Sequence, residues 1–566
     1  MTITTNRRAF LGGLAAAAFT PAVAWARKSG RYDVILRGGM VFDGLGNAPR
    51  QADLGIAGDR IAAIGDLKLG RGVIEIDARG QAVAPGFVNM LSWSNESLIE
   101  DGRSQGEIRQ GVTLEVMGEG TSMGPLNAEM KTRAVREQGD IHYPVGWTSL
   151  ADYLGFLERK GVSCNVASFI GAGTLRVHEA GYDDVRATPE QLQRMEQLVH
   201  AEMKAGALGI GSSLIYAPDN FANTAELVAL TKAAAMHGGG YISHIRNEAD
   251  HYLEALDELI EIGRQSGARV QMYHMKPSGR LNWDKSDAGF AKMNAARKAG
   301  IDLSANVYTY TAAATGLDAS MPLWVQQGGR DAWIARLKDP TVRARVIVEM
   351  RGVPVGWDNT YRNAGGPENV LLLGFNNPAL KPLTGKTLAQ VATMRGTSPE
   401  DTIIDLVIED GSRVDTAYFT MSEDNLRKNI KWPWTMLGSD SASMAPEGKF
   451  LLKSTHPRAY GTFARFLGRY VRDQHVIPLA EGIRRLTSLP IQQLGLRGRG
   501  RIAANYLADV VVFDPAKITD HATFAMPHQY ATGVSDVLVG GQPVLRGGDH
   551  TGATPGRFVK GPGWRS

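Results

Sequence analysis

The sequence predicts an α/β protein: a (β/α)8 barrel of the TIM type, with a small β-sandwich domain built from both ends of the chain. Eight short apolar runs occur between residues 86 and 440, and helical patterns separate many of them, as such a barrel requires. Strand-like runs punctuated by glycine and aspartate flank this middle region on both sides. With 566 residues, the chain exceeds what one hydrophobic core usually supports, which favours a large domain and a smaller one.

The first 26 residues are typical of an export signal. Arg7 and Arg8 precede an apolar stretch without a charge, and the small-x-small cleavage site "AWA" ends at Ala26. We expect twin-arginine export, cleavage after Ala26 and a soluble protein of the periplasm. An uncleaved membrane anchor is the alternative, which the glycines in the stretch and the cleavage site disfavour. No other run reaches the roughly 18 apolar residues of a transmembrane helix.

The rest of the chain divides into the small domain and the barrel. Residues 27–84 consist of short strands and turns, and residues 486–566 return to that pattern, so we predict that they form the small β-domain together. Residues 85–485 would form the barrel, from the runs "GFVNMLS", "GVTLEVMGEG", "CNVASFIGAG", "ALGIGSSLIY", "GGYISHI", "RVQMYHMK", "LSANVYTYT" and "WTMLGSD". The alternation of strand and helix breaks between about 327 and 431, which predicts an insertion over the barrel mouth.

Two of the intervening segments carry clear helix signals. "TPEQLQRMEQLVHAEMKAG" begins with Thr188 as an N-cap and Pro189 at the first helical position, and Gly206 follows its end. In "HYLEALDELIEIGRQSG", apolar residues recur at the i, i+3, i+4 and i+7 spacing of one helix face.

Composition excludes several classes of function. The formal net charge of +4 is too small for a chain of this length to indicate nucleic-acid or membrane partners. The single cysteine, Cys164, excludes an intramolecular disulfide and a cysteine-rich metal site. Its apolar surroundings indicate a core residue rather than a reactive thiol. The sequence does not indicate an oligomeric state.

Three residues that can do chemistry stand at the ends of apolar runs. His244 and His274 end two consecutive runs thirty residues apart, so a barrel would place them on adjacent strands facing one mouth. Imidazoles in that arrangement suit Zn²⁺ coordination, and two satisfied core histidines are the alternative. Asp440 ends the last run, where it could exchange a proton with a metal-bound water or cap a helix.

A series of longer motifs spans nearly all of the chain after the export signal: "YDVILRGGMVFDG", "VAPGFVN", "RQGVTLEVMG", "SHIRNE", "HMK", "VYTYTAAATGL", "LGSD", "HPRAYGTFARFLGRYVR" and the C-terminal "ADVVVFDPAKITDHATF". In this order they resemble the amidohydrolase superfamily, and within it the N-acyl-D-amino-acid deacylase (D-aminoacylase) group. The resemblance implies a metal-dependent barrel that hydrolyses the amide between an acyl group and an amino acid. It leaves the acyl group, the amino acid and its handedness open.

The resemblance also implies roles for individual residues. His244 and His274 match the histidines that hold the tightly bound zinc, and Asp440 matches the catalytic aspartate. The positions that grip the substrate carboxylate are matched by Lys276, Tyr308 and Arg458. An arginine fork and a lysine charge suit that task, although each residue could instead be a surface ion pair or core filler.

Two departures from the family change the expected metal centre. Where the family's first strand carries a His-x-His pair, this chain has Leu91 and Trp93, neither of which binds zinc. Where the family has a cysteine ligand, this chain has "GEGTS", which puts Glu119 at or beside that position. We therefore expect Glu119, His244 and His274 to hold one zinc ion, with a second, weakly bound ion left open. Trp93 would occupy the vacated space and shape the substrate pocket, or fill core.

The predicted reaction is hydrolysis of N-acyl amino acids by zinc-activated water, with Asp440 moving the proton. Two other classes stay open. One is a non-catalytic or weakly active small-molecule-binding protein on the same scaffold, since the His-x-His pair and the cysteine are missing. The other is a serine hydrolase, because "GTSMG" fits the G-x-S-x-G nucleophile elbow and nominates Ser122. Pro125 follows where that elbow requires a helix.

Overall fold

The computed structural model of the protein describes residues 30–565. The export signal predicted at residues 1–26 lies outside the described residues. Within residues 30–565, no helix combines the length and the apolar character needed to cross a membrane.

A small sheet brings the two ends of the described chain together. Ala82–Pro85 pairs antiparallel with Val510–Phe513 and so joins the N-terminal strands to the C-terminal ones. Arg31–Val41 pairs with Arg71–Asp77 along one part and with Ala82–Pro85 along another. The predicted β-sandwich therefore takes the form of one branched sheet rather than two separately bonded sheets. Its nine strands are Arg31–Val41, Arg50–Ala57, Arg60–Gly65, Arg71–Asp77, Ala82–Pro85, Val510–Phe513, Val534–Val539, Gln542–Arg546 and Asp549–His550.

Eight parallel strands form a second set of pairings, here called the strand ring. The ring closes where Met90 N donates to Leu437 O at 3.1 Å and Ser92 bridges Ser441. Each of the eight apolar runs in the sequence contains one of these strands. In chain order they are Phe87–Asn89, Val112–Met117, Asn165–Ser168 with its continuation Ile170–Gly171, Gly209–Ser213, Gly240–His244, Val270–Met272, Leu303–Val307 and Thr435–Leu437.

Helices connect the strands of the ring and pack against it. The helix predicted to begin at Pro189 is confirmed: Thr188 Oγ1 accepts from Gln191 N at 3.2 Å, and Gly206 ends the helix with φ +117°. The connecting helices are Gln105–Ile108, Leu150–Lys160, Pro189–Ala205, Thr224–Ala235, Tyr252–Ser266, Lys285–Lys298, Glu423–Lys431 and Leu479–Leu486. Additional helices are Ser97–Glu100, Ala128–Arg136, Ala172–Ala180, Arg458–Arg465 with its π-helical continuation Phe466–Asp473, and Ser488–Gln493.

Between the seventh and eighth strands of the ring, residues 308–418 form an insertion with its own sheet and core. Ala313–Gly316 and Val370–Gly374 both pair antiparallel with Asp415–Tyr418. The sheet of the insertion thus includes residues ahead of 327, because Ala313–Gly316 bonds to it and not to the ring. The helices of the insertion are Arg330–Leu337, Pro340–Arg351, Thr360–Ala364, Leu388–Arg395 and Pro399–Asp410.

Candidate metal centre and active site

The carboxyl ends of three ring strands bring Glu119, His244 and His274 together. Glu119 follows the strand that ends at Met117, His244 ends its own strand, and His274 follows the strand that ends at Met272. One possible ligand atom from each lies within 4.8 Å of the others. Glu119 Oε1 is 3.1 Å from His244 Nδ1 and 3.3 Å from His274 Nε2, and all three side chains are buried. The three ligands expected from the sequence are thus neighbours in space.

Two site residues have backbone conformations that non-glycine residues rarely adopt. His274 has φ +29° and Asp440 has φ +50°. Such conformations cost about 1–3 kcal/mol each and persist only where the surroundings hold them. His274 N donates to Asn306 Oδ1 at 2.8 Å, and Asp440 N donates to Leu91 O at 2.8 Å. Leu91 therefore supports Asp440 through its backbone.

The buried cluster favours an anionic Glu119. Burial opposes its ionisation, but hydrogen bonds with His244 and His274 outweigh burial and hold the pKa of Glu119 well below its usual range. Burial lowers the pKa of His244. Burial and Lys276 also oppose a charge on His274, but Glu248 and Glu119 outweigh them and raise the pKa of His274 to about 9. A divalent cation that binds here would displace the proton of His274, and a carboxylate anion beside two neutral imidazoles is then a donor set suited to it.

Trp93 connects this cluster to Asp440. Its indole N–H lies 3.1 Å from Glu119 Oε2 and 3.1 Å from Asp440 Oδ1, so two carboxylates share one donor. The side chain is 37% exposed and lines the cavity beside the cluster. Burial raises the pKa of Asp440 despite the nearby guanidinium of Arg458. Trp93 is therefore part of the site.

The residues expected to grip a substrate carboxylate surround the same cavity, but two of them already have partners. Arg458 Nη1 is 2.7 Å from Asp440 Oδ2, an ion pair without hydrogen-bond alignment. The Arg458 guanidinium lies 4.6 Å from the centre of the Tyr308 ring. Lys276 Nζ donates to Glu248 Oε1 at 2.8 Å. Among residues 30–565, none is a hydrogen-bond partner of the buried Tyr308 hydroxyl, so a ligand could use it.

Glu248 is the site residue that sequence reasoning missed. Its Oε1 lies 3.1 Å from His274 Nδ1, and its Oε2 lies 3.6 Å from His244 Nε2. Burial opposes its ionisation, but Lys276 and the two imidazoles outweigh burial and lower the pKa of Glu248 to about 2. The signal was present in "SHIRNE", where a glutamate stands four residues after His244.

These side chains line a cavity of about 540 Å³, a size that accommodates a small organic molecule. Apolar side chains, among them Ile215, Leu373 and Phe450, contribute to its wall. The insertion contributes Thr315 and Arg413, so it forms one side of the cavity. The cavity therefore combines a polar cluster with apolar surface.

Ser122 has a structural environment rather than that of a nucleophile. Its hydroxyl donates to Gly124 O at 2.6 Å, and it accepts from Gly171 N at 2.9 Å. Pro125 and loop residues follow it, and the next helix begins at Ala128. A nucleophile elbow needs a helix directly after the serine, so this geometry does not favour a serine hydrolase.

The fold and the site define a class of enzyme, the amidohydrolases. Residues 75–545 match the amidohydrolase family, and the chain belongs to that family. It is 32% identical to a D-aminoacylase from Alcaligenes xylosoxydans xylosoxydans, over 93% of this chain and 97% of that protein. It is also 32% identical to an N-acyl-D-glutamate deacylase from the same organism, over 91% of this chain and 94% of that protein.

Solved structures agree with the sequence matches. An N-acyl-D-glutamate deacylase from Bordetella bronchiseptica, complexed with zinc and a phosphonate that mimics the tetrahedral intermediate, has a TM-score of 0.77 at 28% identity. A crystal structure of D-aminoacylase has a TM-score of 0.76 at 31% identity. Each comparison covers 94% of this chain and 100% of the other chain. The predicted resemblance to the N-acyl-D-amino-acid deacylases is confirmed.

Proposed function

We propose that the protein hydrolyses the amide bond of N-acyl amino acids, with N-acyl-D-amino acids as the favoured substrates. The observation that carries the proposal is the grouping of Glu119, His244 and His274 beside Asp440 in one cavity. The relatives described above are a D-aminoacylase and N-acyl-D-glutamate deacylases, which supports the substrate class.

We infer that Glu119, His244 and His274 would hold a zinc ion. Two imidazoles and one carboxylate form a donor set found in catalytic zinc sites, which keep a further position for water or substrate. The nitrogens that face Glu119, Nδ1 of His244 and Nε2 of His274, are the ones available for coordination. When bound, a zinc ion would polarise the amide carbonyl and lower the pKa of a water molecule. The zinc complex of the Bordetella relative supports this assignment.

We infer one ion rather than two. The Trp93 N–H already donates to Glu119 and Asp440, so it occupies the space between the two carboxylates where a second ion would lie. Leu91, the other position where the family resemblance implies a histidine, offers no lone pair. A tryptophan donor and an apolar side chain supply no imidazole for a second ion, and the indole N–H already uses the facing oxygens of Glu119 and Asp440.

Asp440 is assigned the proton transfer. Its carboxylate would accept a proton from the attacking water and return that proton to the nitrogen as the C–N bond breaks. The products are the free carboxylic acid and the free amino acid. A raised pKa suits a group that must hold a proton during the reaction and then release it.

Arg458 and Tyr308 are assigned the substrate carboxylate. The guanidinium of Arg458, beside Asp440, supplies two N–H donors and a positive charge, and the Tyr308 hydroxyl supplies a further donor. Together they would hold the amino-acid end of the substrate so that its amide lies beside Asp440. Lys276 already donates to Glu248. We therefore expect Lys276 to attract the substrate carboxylate by its positive charge rather than to hydrogen-bond to it directly.

We further infer that the strand ring is a (β/α)8 barrel of the TIM type. Its pairings close on themselves, and the site residues stand at the carboxyl ends of its strands, where such barrels carry their active sites.

We also propose that the enzyme acts in the periplasm, because the paired arginines and the cleavage site precede the first strand. Fractionation of cells that express the full chain tests this export, and enzyme confined to the cytoplasm would exclude it.

A hydrolysis assay tests the proposed function. Zinc-loaded protein is incubated with paired N-acyl-D- and N-acyl-L-amino acids, and the released amino acid is quantified. We expect release from N-acyl-D-amino acids, and a loss of at least about 100-fold in His274→Ala, which removes a ligand. No release from any member of the panel would favour a binding protein. Equal release by His274→Ala would exclude metal-dependent deacylation.

A further inference from the structure

We propose that Glu248 is a positioning residue that selects which nitrogen of His274 is available to a metal ion. The inference rests on the proposed zinc site. His274 presents Nε2 to Glu119 at 3.3 Å and Nδ1 to Glu248 Oε1 at 3.1 Å, so the imidazole lies between two carboxylates. A histidine that binds a metal through Nε2 must carry its proton on Nδ1, and that N–H needs an acceptor.

Lys276 competes for the same nitrogen. Its ammonium lies 2.8 Å from His274 Nδ1 and 2.8 Å from Glu248 Oε1. A lysine ammonium can only donate, so a bond from Lys276 to Nδ1 requires the imidazole proton to be on Nε2. That tautomer has no lone pair directed at Glu119 and cannot bind a metal there. Glu248 opposes this outcome, because its Oε1 accepts from the lysine and its negative charge, 3.1 Å from Nδ1 in an ion-pair contact, favours a proton on that nitrogen.

Glu248 also faces the second imidazole. Its other oxygen lies 3.6 Å from His244 Nε2, a nitrogen with no hydrogen-bond partner among residues 30–565. This distance is too long for a hydrogen bond, but a negative charge there favours a proton on Nε2. When a metal ion displaces the proton that Nδ1 shares with Glu119, the lone pair of His244 lies on that nitrogen. One carboxylate thus biases both imidazoles towards ligand geometry.

The insertion holds Glu248 in place. The backbone N–H of Glu248 donates to Asp358 Oδ2 at 2.8 Å, and its carbonyl accepts from Ser278 N at 2.6 Å. Asp358 is held in turn by Asn363 Nδ2 at 2.5 Å. The side chain is only 4% exposed, so it has little freedom to turn away from the imidazoles.

Zinc affinity tests the inference independently of catalysis. Dissociation constants are measured by competition with a chromogenic chelator for the wild type, Glu248→Gln, Lys276→Met and the double variant. We expect Glu248→Gln to weaken zinc binding by about 10–100-fold, the range typical of lost partners of metal-bound histidines. Lys276→Met should leave affinity within about threefold of the wild type. The double variant should bind zinc almost as tightly as the wild type, because the Lys276 ammonium no longer competes for Nδ1 of His274.

The cobalt-loaded proteins supply a spectroscopic readout, since the visible absorption of Co²⁺ reports its ligand geometry. Glu248→Gln should alter the wild-type spectrum, and the double variant should restore it. Glu226→Gln is the control: it changes a buried carboxylate, paired with Arg176 at 3.0 Å, that touches neither imidazole. If Glu248→Gln does not fold, Glu248→Asp replaces it, because it withdraws the carboxylate by one methylene and should show the same rescue by Lys276→Met.

The outcomes separate this inference from the proposed function. Wild-type affinity and spectrum in Glu248→Gln would overturn the role of Glu248 while leaving the zinc site intact. Equal weakening in the single and double variants would overturn the competition with Lys276 and indicate a merely structural role. A wild-type protein that binds no zinc would remove the proposed metal site, and this inference with it.

Discussion

The indole nitrogen of Trp93 lies 3.1 Å from Asp440 Oδ1, and the same N–H lies 3.1 Å from Glu119. A residue just after the first ring strand thus links a proposed metal ligand to the proposed proton carrier. The resemblance to the deacylase family implies a His-x-His pair where this chain has Leu91 and Trp93, so we infer that one apolar side chain and one hydrogen-bond donor stand in place of two metal ligands. The exchange leads to specific expectations for activity and for metal content.

Trp93→Phe should lower kcat by about tenfold. The substitution removes the shared N–H but keeps an aromatic ring, and a hydrogen bond to a charged group contributes about 1.5–3 kcal/mol. Steady-state kinetics on an N-acyl-D-amino acid measure the effect. Trp283→Phe is the control, because it also removes an indole hydrogen bond, here to Thr420 O at 2.9 Å, outside the cluster. Unchanged kcat in Trp93→Phe would contradict the linking role.

Saturation with zinc should load one ion per chain in the wild type. The double variant Leu91→His/Trp93→His should load a second, because it supplies two imidazoles and removes the competing donor. Elemental analysis after gel filtration measures both values. Two ions in the wild type would contradict the inference that Trp93 excludes the second one.

Asp440→Asn should lower kcat by about 100- to 10,000-fold while zinc affinity stays near the wild-type value. An amide cannot carry the proton, but it keeps the size of the side chain. Asp415→Asn is the matched control, since Asp415 lines the same cavity and pairs with Lys453 at 2.9 Å, away from the cluster. If Asp440→Asn retained most of the activity, another group would have to move the proton.

Glu202→Gln should reduce the pH dependence of stability. Burial raises the pKa of Glu202 to about 7 in the folded protein, from 4.5, despite hydrogen bonds from backbone N–H groups. The folded protein therefore favours the protonated form of Glu202. The stabilisation from this preference is fully present below about pH 4.5, and it is lost as the pH rises through about 7. Over this window, the free energy of unfolding should fall by up to about 3 kcal/mol more in the wild type than in the variant. Urea unfolding at several pH values measures the difference, with Glu196→Gln on the same helix as control. Parallel pH profiles for the wild type and Glu202→Gln would contradict it.

Much of the fold could be predicted from local patterns. Apolar runs of strand length mark all eight ring strands, and the Thr188 cap with Pro189 and Gly206 marks one helix correctly at both ends. These signals are local, because a strand needs alternating or continuous apolar residues and a helix needs caps at its ends. Residues that end consecutive parallel strands meet at one edge, so His244 and His274 could be grouped from their spacing alone. Glu119 follows a strand that is not consecutive with theirs, and only the resemblance to the deacylase family indicated that it would join them.

The sequence by itself therefore determined the order of the strands, the family and the set of three neighbouring donors. Only the tertiary structure decided how side chains far apart in the chain pair with one another. Glu248 and Lys276 meet His274 from two loops, Trp93 reaches Asp440 across the closure of the ring, and the sheet of the insertion begins at Ala313. Such contacts depend on which rotamers converge in a shared cavity and on which charges remain after burial. The spacing of Glu248 from His244 is a local signal, but its pairing with Lys276 and His274 joins separate loops and has no local pattern.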